Sequence, residues 1–289
     1  MHFKATRGIL SAQNGMNLFR GCTHGCIYCD SRSLCYGMDH AFEDVEVKIN
    51  APELLKAALR SKRKPCMIGT GAMSDPYLPF PETLAITREC LSLLARHGFG
   101  LAIQTKSALI LRDLELLRAI RERSKCVVQM TLTTFDEPLC QVLEPNVSTT
   151  RERFGALLSL REAGIPTVVW LSPILPFLND TEENIRGILS YCLEAGVRGV
   201  LCFGMGLTLR DGNREYFYRK LDAHFPGLRQ TYERAYGLRY EVESPNSARL
   251  MRIFQDTCAK YGLLSDPAAV FAYLRAYEDK RGGEQLSLL

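Results

Sequence analysis

Three thiols lie in one short stretch of this 289-residue chain, FRGCTHGCIYCD at Phe19–Asp30. Cys22, Cys26 and Cys29 are spaced C-x-x-x-C-x-x-C, and Tyr28 stands directly before the third. Three thiolates on one loop can hold three irons of a [4Fe–4S] cube and leave the fourth iron open. An open iron can bind and reduce a small molecule instead of only passing electrons. A zinc site is the second reading. It needs four protein ligands, so Cys35 or His24 would have to join, and no second C-x-x-C pair follows. A reduced thiol cluster without metal is the third.

The elements that must position this loop alternate. Short apolar runs at Met16–Arg20, Cys66–Gly69, Leu101–Thr105, Cys126–Leu132, Thr167–Leu171 and Arg198–Phe203 have the composition of parallel strands buried on both faces. Helical patterns fall between or after them, at Ala51–Arg60, Pro81–His97, Leu111–Arg123, Thr149–Ala163, Thr181–Ala195 and Asn213–Ala223. Pro81 suits a first helical turn, and Gly98, Gly164 and Gly196 suit helix ends. Six βα units in series predict a parallel α/β structure with right-handed crossovers. Periodicity alone leaves open whether it is an open sheet or a barrel. After Pro226 the pattern is mostly helical, at about Pro245–Tyr261 and Pro267–Asp279. The expected division is residues 1–225 for the α/β unit and 226–289 for a helical C-terminal extension. Its last residues, Lys280–Leu289, are expected to be mobile.

In parallel barrels ligands bind at the C-terminal ends of the strands. The loops expected there are Gly- and Pro-rich or polar: the cysteine loop, GTGAMSDPYLPFP from Gly69, Thr105-Lys106-Ser107, Thr131–Thr134, SPILPFLND from Ser172, and GMGLTLRDG from Gly204. Thr131 and Thr133 alternate on one strand and so face the same side.

The cysteine loop resembles the signature of radical S-adenosylmethionine (SAM) enzymes. In that family the open iron chelates the methionine end of SAM, and electron transfer cleaves SAM to a 5′-deoxyadenosyl radical. Within the family the chain resembles the branch related to spore photoproduct lyase. The motifs are GC-x-HGC-x-YC, GTG-x-x-SDPY, TKS followed by Arg112-Asp113, LEP at Leu143–Pro145 and PILP at Pro173–Pro176. The resemblance implies a partial (β/α)6 TIM-type barrel with [4Fe–4S] and SAM as cofactors. It also implies that Cys22, Cys26 and Cys29 ligate the cluster and that Tyr28 lies beside SAM. The Gly69–Gly71 turn would approach the methionyl group, Asp75 would pair with the SAM ammonium, and Lys106 would hold its carboxylate. Ser74 lies at the same rim, and Thr131 would offer a hydroxyl. Glu144 is read as a loop-fixing residue. In the photoproduct lyases a cysteine just before the Ser-Asp pair returns a hydrogen atom to the product. Here Ala72 stands two residues before Ser74, and Asp30 occupies the position where a tyrosine can follow the third cluster cysteine. The resemblance implies lyase-like radical chemistry in DNA repair, although Ala72 predicts that the thymine–thymine photoproduct itself is not repaired efficiently; RNA, a peptide or a metabolite are the alternative substrates, and a non-enzymatic iron–sulfur protein is a further reading.

Composition bounds the partners. Hydrophobic residues make up 46 % of the chain and the net charge is +4, too mild to argue for nucleic acid by itself. Eight of the 11 cysteines lie outside the loop, scattered singly, which suits a reducing, cytoplasmic location. No apolar run approaches a membrane span, and the start, MHFKATRGIL, lacks a long apolar segment. Between Arg210 and Arg239, seven Lys/Arg and four Asp/Glu surround Tyr216, Phe217 and Tyr218, a composition compatible with a nucleic-acid strand or with an amphipathic helix. Reduction of the cluster calls for an electron donor such as a flavodoxin or ferredoxin. The terminal Gln285-Leu-Ser-Leu-Leu289 resembles the peptide by which bacterial repair proteins dock on the sliding clamp.

Overall fold

Six of the apolar runs pair side by side in chain order, each parallel to the next, in the computed structural model, which describes residues 1–280. The strands are β1 (His2–Lys4), β2 (Gly15–Met16), β3 (Phe19–Arg20), β4 (Glu46–Lys48), β5 (Met67–Thr70), β6 (Gly100–Thr105), β7 (Cys126–Thr131), β8 (Thr167–Trp170), β9 (Gly199–Leu201), β10 (Gly206–Thr208) and β11 (Glu241–Glu243). The helices are α1 (Ala51–Ser61), α2 (Pro81–His97), α3 (Leu114–Arg123), α4 (Glu137–Leu143), α5 (Thr150–Glu162), α6 (Glu182–Glu194), α7 (Asn213–His224), α8 (Leu228–Tyr236), α9 (Ser247–Tyr261) and α10 (Pro267–Arg275). The main sheet runs β2-β5-β6-β7-β8-β9 with α1, α2, α3, α5 and α6 as crossovers, a partial TIM-type barrel.

Alternation along the strands divides the side chains between two cores. Ile68, Leu101, Ile103, Val128, Met130, Val169 and Val200 turn outward and join the helices in one apolar cluster. Met67, Ala102, Val127, Val168 and Leu201 turn inward, where they meet Val270 and Leu274 of α10. The C-terminal helix thus fills the lower part of the concave face. The helices end where the sequence stops them: Gly98 takes φ 72° at the end of α2, and Gly164 takes φ 70° just past α5. Thr149 and Glu152 form a reciprocal capping box at the start of α5.

The structure differs from the sequence reading in four places. The expected first strand, Met16–Arg20, is two pieces: Gly15–Met16 joins the barrel, whereas Phe19–Arg20 turns away to pair antiparallel with β4. β4 also takes β1 as a parallel neighbour, which makes a separate three-stranded sheet. The loop after the sixth barrel strand contains β10, which pairs antiparallel with β11 from the part read as mostly helical. Helix α4 forms where only loop was read, and α8 falls in the part read as mostly helical, at a place where no helix had been marked out. Residues 281–289, with the expected mobile end and the clamp-like Gln285–Leu289, lie outside the described residues. Among the described residues no helix is long and apolar enough to cross a membrane.

Candidate cluster and cofactor site

The cysteine loop sits at the C-terminal end of the first barrel strand and is held by backbone bonds from distant segments. The Cys22 N–H donates to the Phe42 carbonyl at 2.9 Å, and the Ile27 N–H donates to the Leu143 carbonyl at 3.0 Å. The Asn146 N–H donates to the His24 carbonyl at 3.1 Å, and its Nδ2 donates to the Thr23 carbonyl at 2.9 Å. Leu143–Asn146, which includes the LEP motif, is therefore a clamp on the loop. Gly21 must be glycine: it has φ 85°, and a Cβ there would lie 2.4 Å from the Phe42 carbonyl oxygen.

Cys26 is buried, and Cys22 and Cys29 are partly so. Burial pushes the Cys22 thiol up to about 12, with the neighbouring Asp75 charge adding to it. Cys26 is raised well above the ordinary thiol value, again by burial first. Such thiols hold their protons until a cation replaces them. The donor set fits a cube better than a single ion. Among the described residues, the His, Cys, Asp and Glu groups whose ligand atoms lie within 4.8 Å of one another do not include these three cysteines. A zinc ion, at ~2.3 Å from each sulfur, needs its thiols within about 4.6 Å of one another. The fourth ligands of the zinc reading are also elsewhere. Cys35 is exposed, with its Sγ 3.4 Å from Arg210 Nη1. His24 is buried with Nδ1 3.5 Å from Asp75 Oδ2.

The other residues named from sequence converge at the same rim. Asp75 Oδ1 accepts from the Tyr77 N–H at 2.9 Å and the Thr105 hydroxyl at 2.7 Å, and Oδ2 accepts from the Lys106 N–H at 2.7 Å. The carboxylate thereby ties the loop after β5 to the end of β6. Gly71 completes this join, since a Cβ on it would lie 1.9 Å from the Gln104 carbonyl oxygen. A Cβ on Gly69 would meet nothing within 4 Å, so the barrel is open beside it. Lys106 follows the inward positions Ala102 and Gln104, and its Nζ lies 5.8 Å from the Tyr28 ring centroid. Burial lowers the Lys106 pKa, but Cys26, Glu144 and Cys29 outweigh it and leave it raised. The hydroxyls of Ser74 and Thr131 are buried without any hydrogen-bond partner. Buried polar atoms are normally paired, so two orphans at one rim mark the place of a polar ligand.

A residue that sequence reasoning missed organises this site from behind. Arg153 of α5 is completely buried and ion-paired to the equally buried Glu144. Glu144 also accepts from the Tyr28 hydroxyl. Arg153 Nη1 donates to the Thr131 carbonyl at 2.7 Å, and Nη2 lies 3.2 Å from the Cys140 sulfur. Burial alone would raise the Glu144 pKa, but Arg153 and Lys106 outweigh it and hold the carboxyl below its ordinary value. One buried ion pair so links the cluster loop, the end of β7 and α5. The signal was present: Arg153, Ala156, Leu157 and Leu160 form the buried stripe of α5, with a cation inside an apolar face.

Two other sequence features resolve differently. Phe217 and Tyr218 turn into the core, which leaves Tyr216 as the accessible ring of that trio, packed 3.7 Å from the Arg32 guanidinium. Asp30 is a hub beyond the third cysteine: it takes the Tyr36 hydroxyl at 2.7 Å and Arg210 Nε at 3.4 Å.

The comparisons with known proteins agree with this geometry. The chain matches the radical SAM superfamily over residues 16–219. An uncharacterized protein of Mycobacterium tuberculosis is 31 % identical over 229 residues, 76 % of this chain and 66 % of that protein. An uncharacterized protein of Methanocaldococcus jannaschii is 33 % identical over 179 residues, 61 % of this chain and 66 % of its own length. The chain thus spans just under two thirds of the length of these curated relatives. Among solved structures, spore photoproduct lyase with bound AdoMet and dinucleoside spore photoproduct has a TM-score of 0.59 at 15 % identity, covering 85 % of this chain and 72 % of that one. The methyltransferase TsrM from Kitasatospora setae, bound to tryptophan and a SAM analog, has a TM-score of 0.50 at 16 % identity, covering 68 % and 36 %. At these identities the likeness is one of fold. Three thiols on a clamped loop at the strand ends, unpartnered hydroxyls beside them and a family match across the whole barrel lead to one assignment: the chain belongs to the radical SAM superfamily, whose cofactors are a [4Fe–4S] cluster and SAM.

Proposed function

We propose that the chain is a radical SAM enzyme with spore photoproduct lyase-like architecture. The observation that carries the reading is the convergence of Cys22, Cys26 and Cys29 with Lys106 and the orphan hydroxyls of Ser74 and Thr131 at one rim. When bound and reduced, the cluster supplies the electron that cleaves SAM to a 5′-deoxyadenosyl radical. The residues of the chain bind and orient. Lys106 holds the SAM carboxylate as a point charge. Ser74 and Thr131 donate to or accept from its polar atoms, and Tyr28, fixed by Glu144, packs beside it. Asp75 is a positioning residue in this reading, because its oxygens already accept three bonds from the protein.

DNA repair is the first reading of the substrate, supported by the lyase-like fold. A flavodoxin or ferredoxin as electron donor, a nucleic-acid strand, and the sliding clamp at Gln285–Leu289 are the partners it proposes. One observation favours a second reading, a different lesion or an RNA, peptide or metabolite: Ala72 is an exposed alanine at the position where the lyases carry their hydrogen-donating cysteine. Anaerobic incubation of the reconstituted, reduced protein with SAM tests the core proposal, and 5′-deoxyadenosine is the expected product. Its absence overturns the enzyme reading. Adding the thymine–thymine photoproduct dinucleotide separates the substrates: deoxyadenosine without restored thymine supports the second, and multiple-turnover repair supports the first.

A further inference from the structure

The inner face of the barrel carries an aromatic wall that the cysteine loop and its clamp do not use. Trp170 stands two residues past Val168 on β8, and Phe203 two residues past Leu201 of β9, so both follow inward positions of the lower layer. Phe271 of α10 meets them there. The Trp170 and Phe203 ring centroids are 5.8 Å apart, and Trp170 meets Phe271 edge-on at 6.2 Å. Phe203 and Phe271 stack at 6.1 Å with 29° between their planes. The protein leaves this wall uncapped: Phe203 is 59 % exposed, and Trp170 and Phe271 are only partly buried. Joined apolar surface of this kind marks a place where something binds.

Two amides share the same inner face. In the sheet register Gln104 of β6 lies beside Gln129 of β7, and Thr131, one inward layer higher, lies beside Trp170. The Trp170 indole N–H can only donate, and it donates to Gln129 Oε1 at 2.9 Å. That bond fixes the indole plane and leaves Gln129 Nε2 as a donor without a partner among the described residues. Gln129 is only 7 % exposed, so its amide edge is held in place and largely desolvated. The Gln104 side chain likewise makes no hydrogen bond among the described residues. Buried or half-buried amides are normally satisfied, and a pair left open beside an aromatic wall fits a flat ligand with a polar edge. The orphan hydroxyl of Thr131 stands where this space meets the SAM rim.

We propose that Trp170, Phe203, Gln129 and Gln104 form a reading pocket for one unstacked nucleobase of a substrate strand. Trp170 and Phe203 supply the stacking face, which serves any flat base. Gln129 Nε2 and the Gln104 amide hydrogen-bond the polar edge of the base, as side-chain amides do with base edges. An aromatic side chain of a peptide fits the wall, but it brings at most one polar atom to two open amides and leaves the rest unpaired. The exposed Arg275 guanidinium, 5.5 Å from the Phe271 ring centroid, puts a positive charge beside the wall, which suits the phosphates of a strand. A base drawn out of its stack is how chemistry reaches an atom otherwise enclosed in a duplex. Because Thr131 joins the pocket to the SAM rim, the seated base lies next to the source of the radical. For that chemistry the pocket rests on the radical SAM reading, whereas its binding does not.

Trp170 is the single tryptophan of the chain, so its fluorescence reports on the pocket directly. The holoenzyme is titrated, without SAM, with a short single-stranded DNA that carries one central thymine between abasic positions, and with the fully abasic strand of the same charge. Affinities come from the anisotropy of a dye on the strand. The base-bearing strand should quench Trp170 and bind about tenfold or more tighter than the abasic one. Phe203→Ala, at an exposed ring, should remove most of that difference. Gln104→Met, which breaks no bond within the protein, should reduce it about 2–10-fold. Neither should alter affinity for the abasic strand. The ribose strand with a central uracil is the second probe, and base-dependent quenching by either strand supports the pocket. Equal binding of base-bearing and abasic strands, or a difference that Phe203→Ala leaves intact, overturns it. So does quenching by a tryptophan-containing peptide where neither strand quenches, which would assign the wall to a peptide. Binding is read without SAM cleavage, so a failure to form 5′-deoxyadenosine defeats the enzyme reading and leaves this result standing.

Discussion

The lower and upper halves of the barrel's inner face use the same strands for opposite ends. Below, Met67, Ala102, Val127, Val168 and Leu201 close on Val270 and Leu274 of α10. Two or four residues further along the same strands stand Gln104, Gln129, Thr131 and Lys106, and here the Thr131 hydroxyl, like that of Ser74 on the neighbouring loop, is left without a partner. The lower half buries apolar surface and contributes stability at roughly 25 cal/mol per Å2. The upper half retains desolvated hydroxyls whose partner is a ligand, which costs stability until the ligand arrives. Fold and function are thus separated along the strand axis, by a distance of one or two side-chain layers.

This contrast can be broken at several points. The largest effect belongs to the thiols: Cys22→Ala, Cys26→Ala or Cys29→Ala should each abolish the cluster's visible absorption and SAM cleavage. Cys35→Ala should retain both, and loss of the cluster in that variant would return the four-ligand reading. Next is Arg153→Met, which strands Glu144 in the interior and should destabilise the fold by about 3–5 kcal/mol in denaturant titrations. Adding Glu144→Leu should recover much of that loss. Because the Glu144 carboxyl is held below its ordinary value, its contribution is present above the ordinary carboxyl range and lost as pH falls through its lower folded value. The wild-type advantage over Arg153→Met should accordingly shrink on acidification.

Leu274→Ala addresses the lower half. It should cost about 2–5 kcal/mol of stability, yet leave SAM affinity unchanged in the protein that remains folded. Lys106→Ala is the converse in the upper half: SAM binding weakened by about 1–3 kcal/mol in calorimetry, with cluster content retained. The smallest effect is Thr131→Val. Deleting an orphan hydroxyl should leave the free protein as stable or up to about 1 kcal/mol more so, while SAM binding loses about 0.5–1.5 kcal/mol. A variant that loses stability without losing SAM affinity would place Thr131 with the lower half.

Much of this was legible in the sequence, for identifiable reasons. The cysteine loop carries its chemistry in spacing alone. The central strands are apolar on both faces, and α2, with Pro81 at its start and Gly98 at its end, runs Pro81–His97 as read. What escaped was pairing decided at a distance. Phe19 and Arg20 look continuous with Met16 but are captured by β4, because Phe19 lies opposite Val47 in a separate small sheet. Gly206–Thr208 is too short to announce a strand without β11 beside it. α4 has seven residues, with Pro138 in its first turn, and leaves little periodicity to detect. Arg153 reads as solvated until Glu144 is placed beside it.

The clamp on the cysteine loop also has a bearing on when the protein can be finished. Tyr28 and Glu144 are 116 residues apart in the chain, and Thr23 and Asn146 are 123. Contacts of such separation form late and slowly. On the ribosome the three thiols emerge early, well before the segment that shapes their loop, and N-terminal regions begin to fold while synthesis continues. A nascent chain that ends short of Arg153 therefore presents cysteines without a cradle. Iron delivered at that stage meets a flexible peptide, whereas iron delivered after the clamp closes meets a formed site. The order of synthesis thus places cluster loading after the segment through Arg153 has emerged.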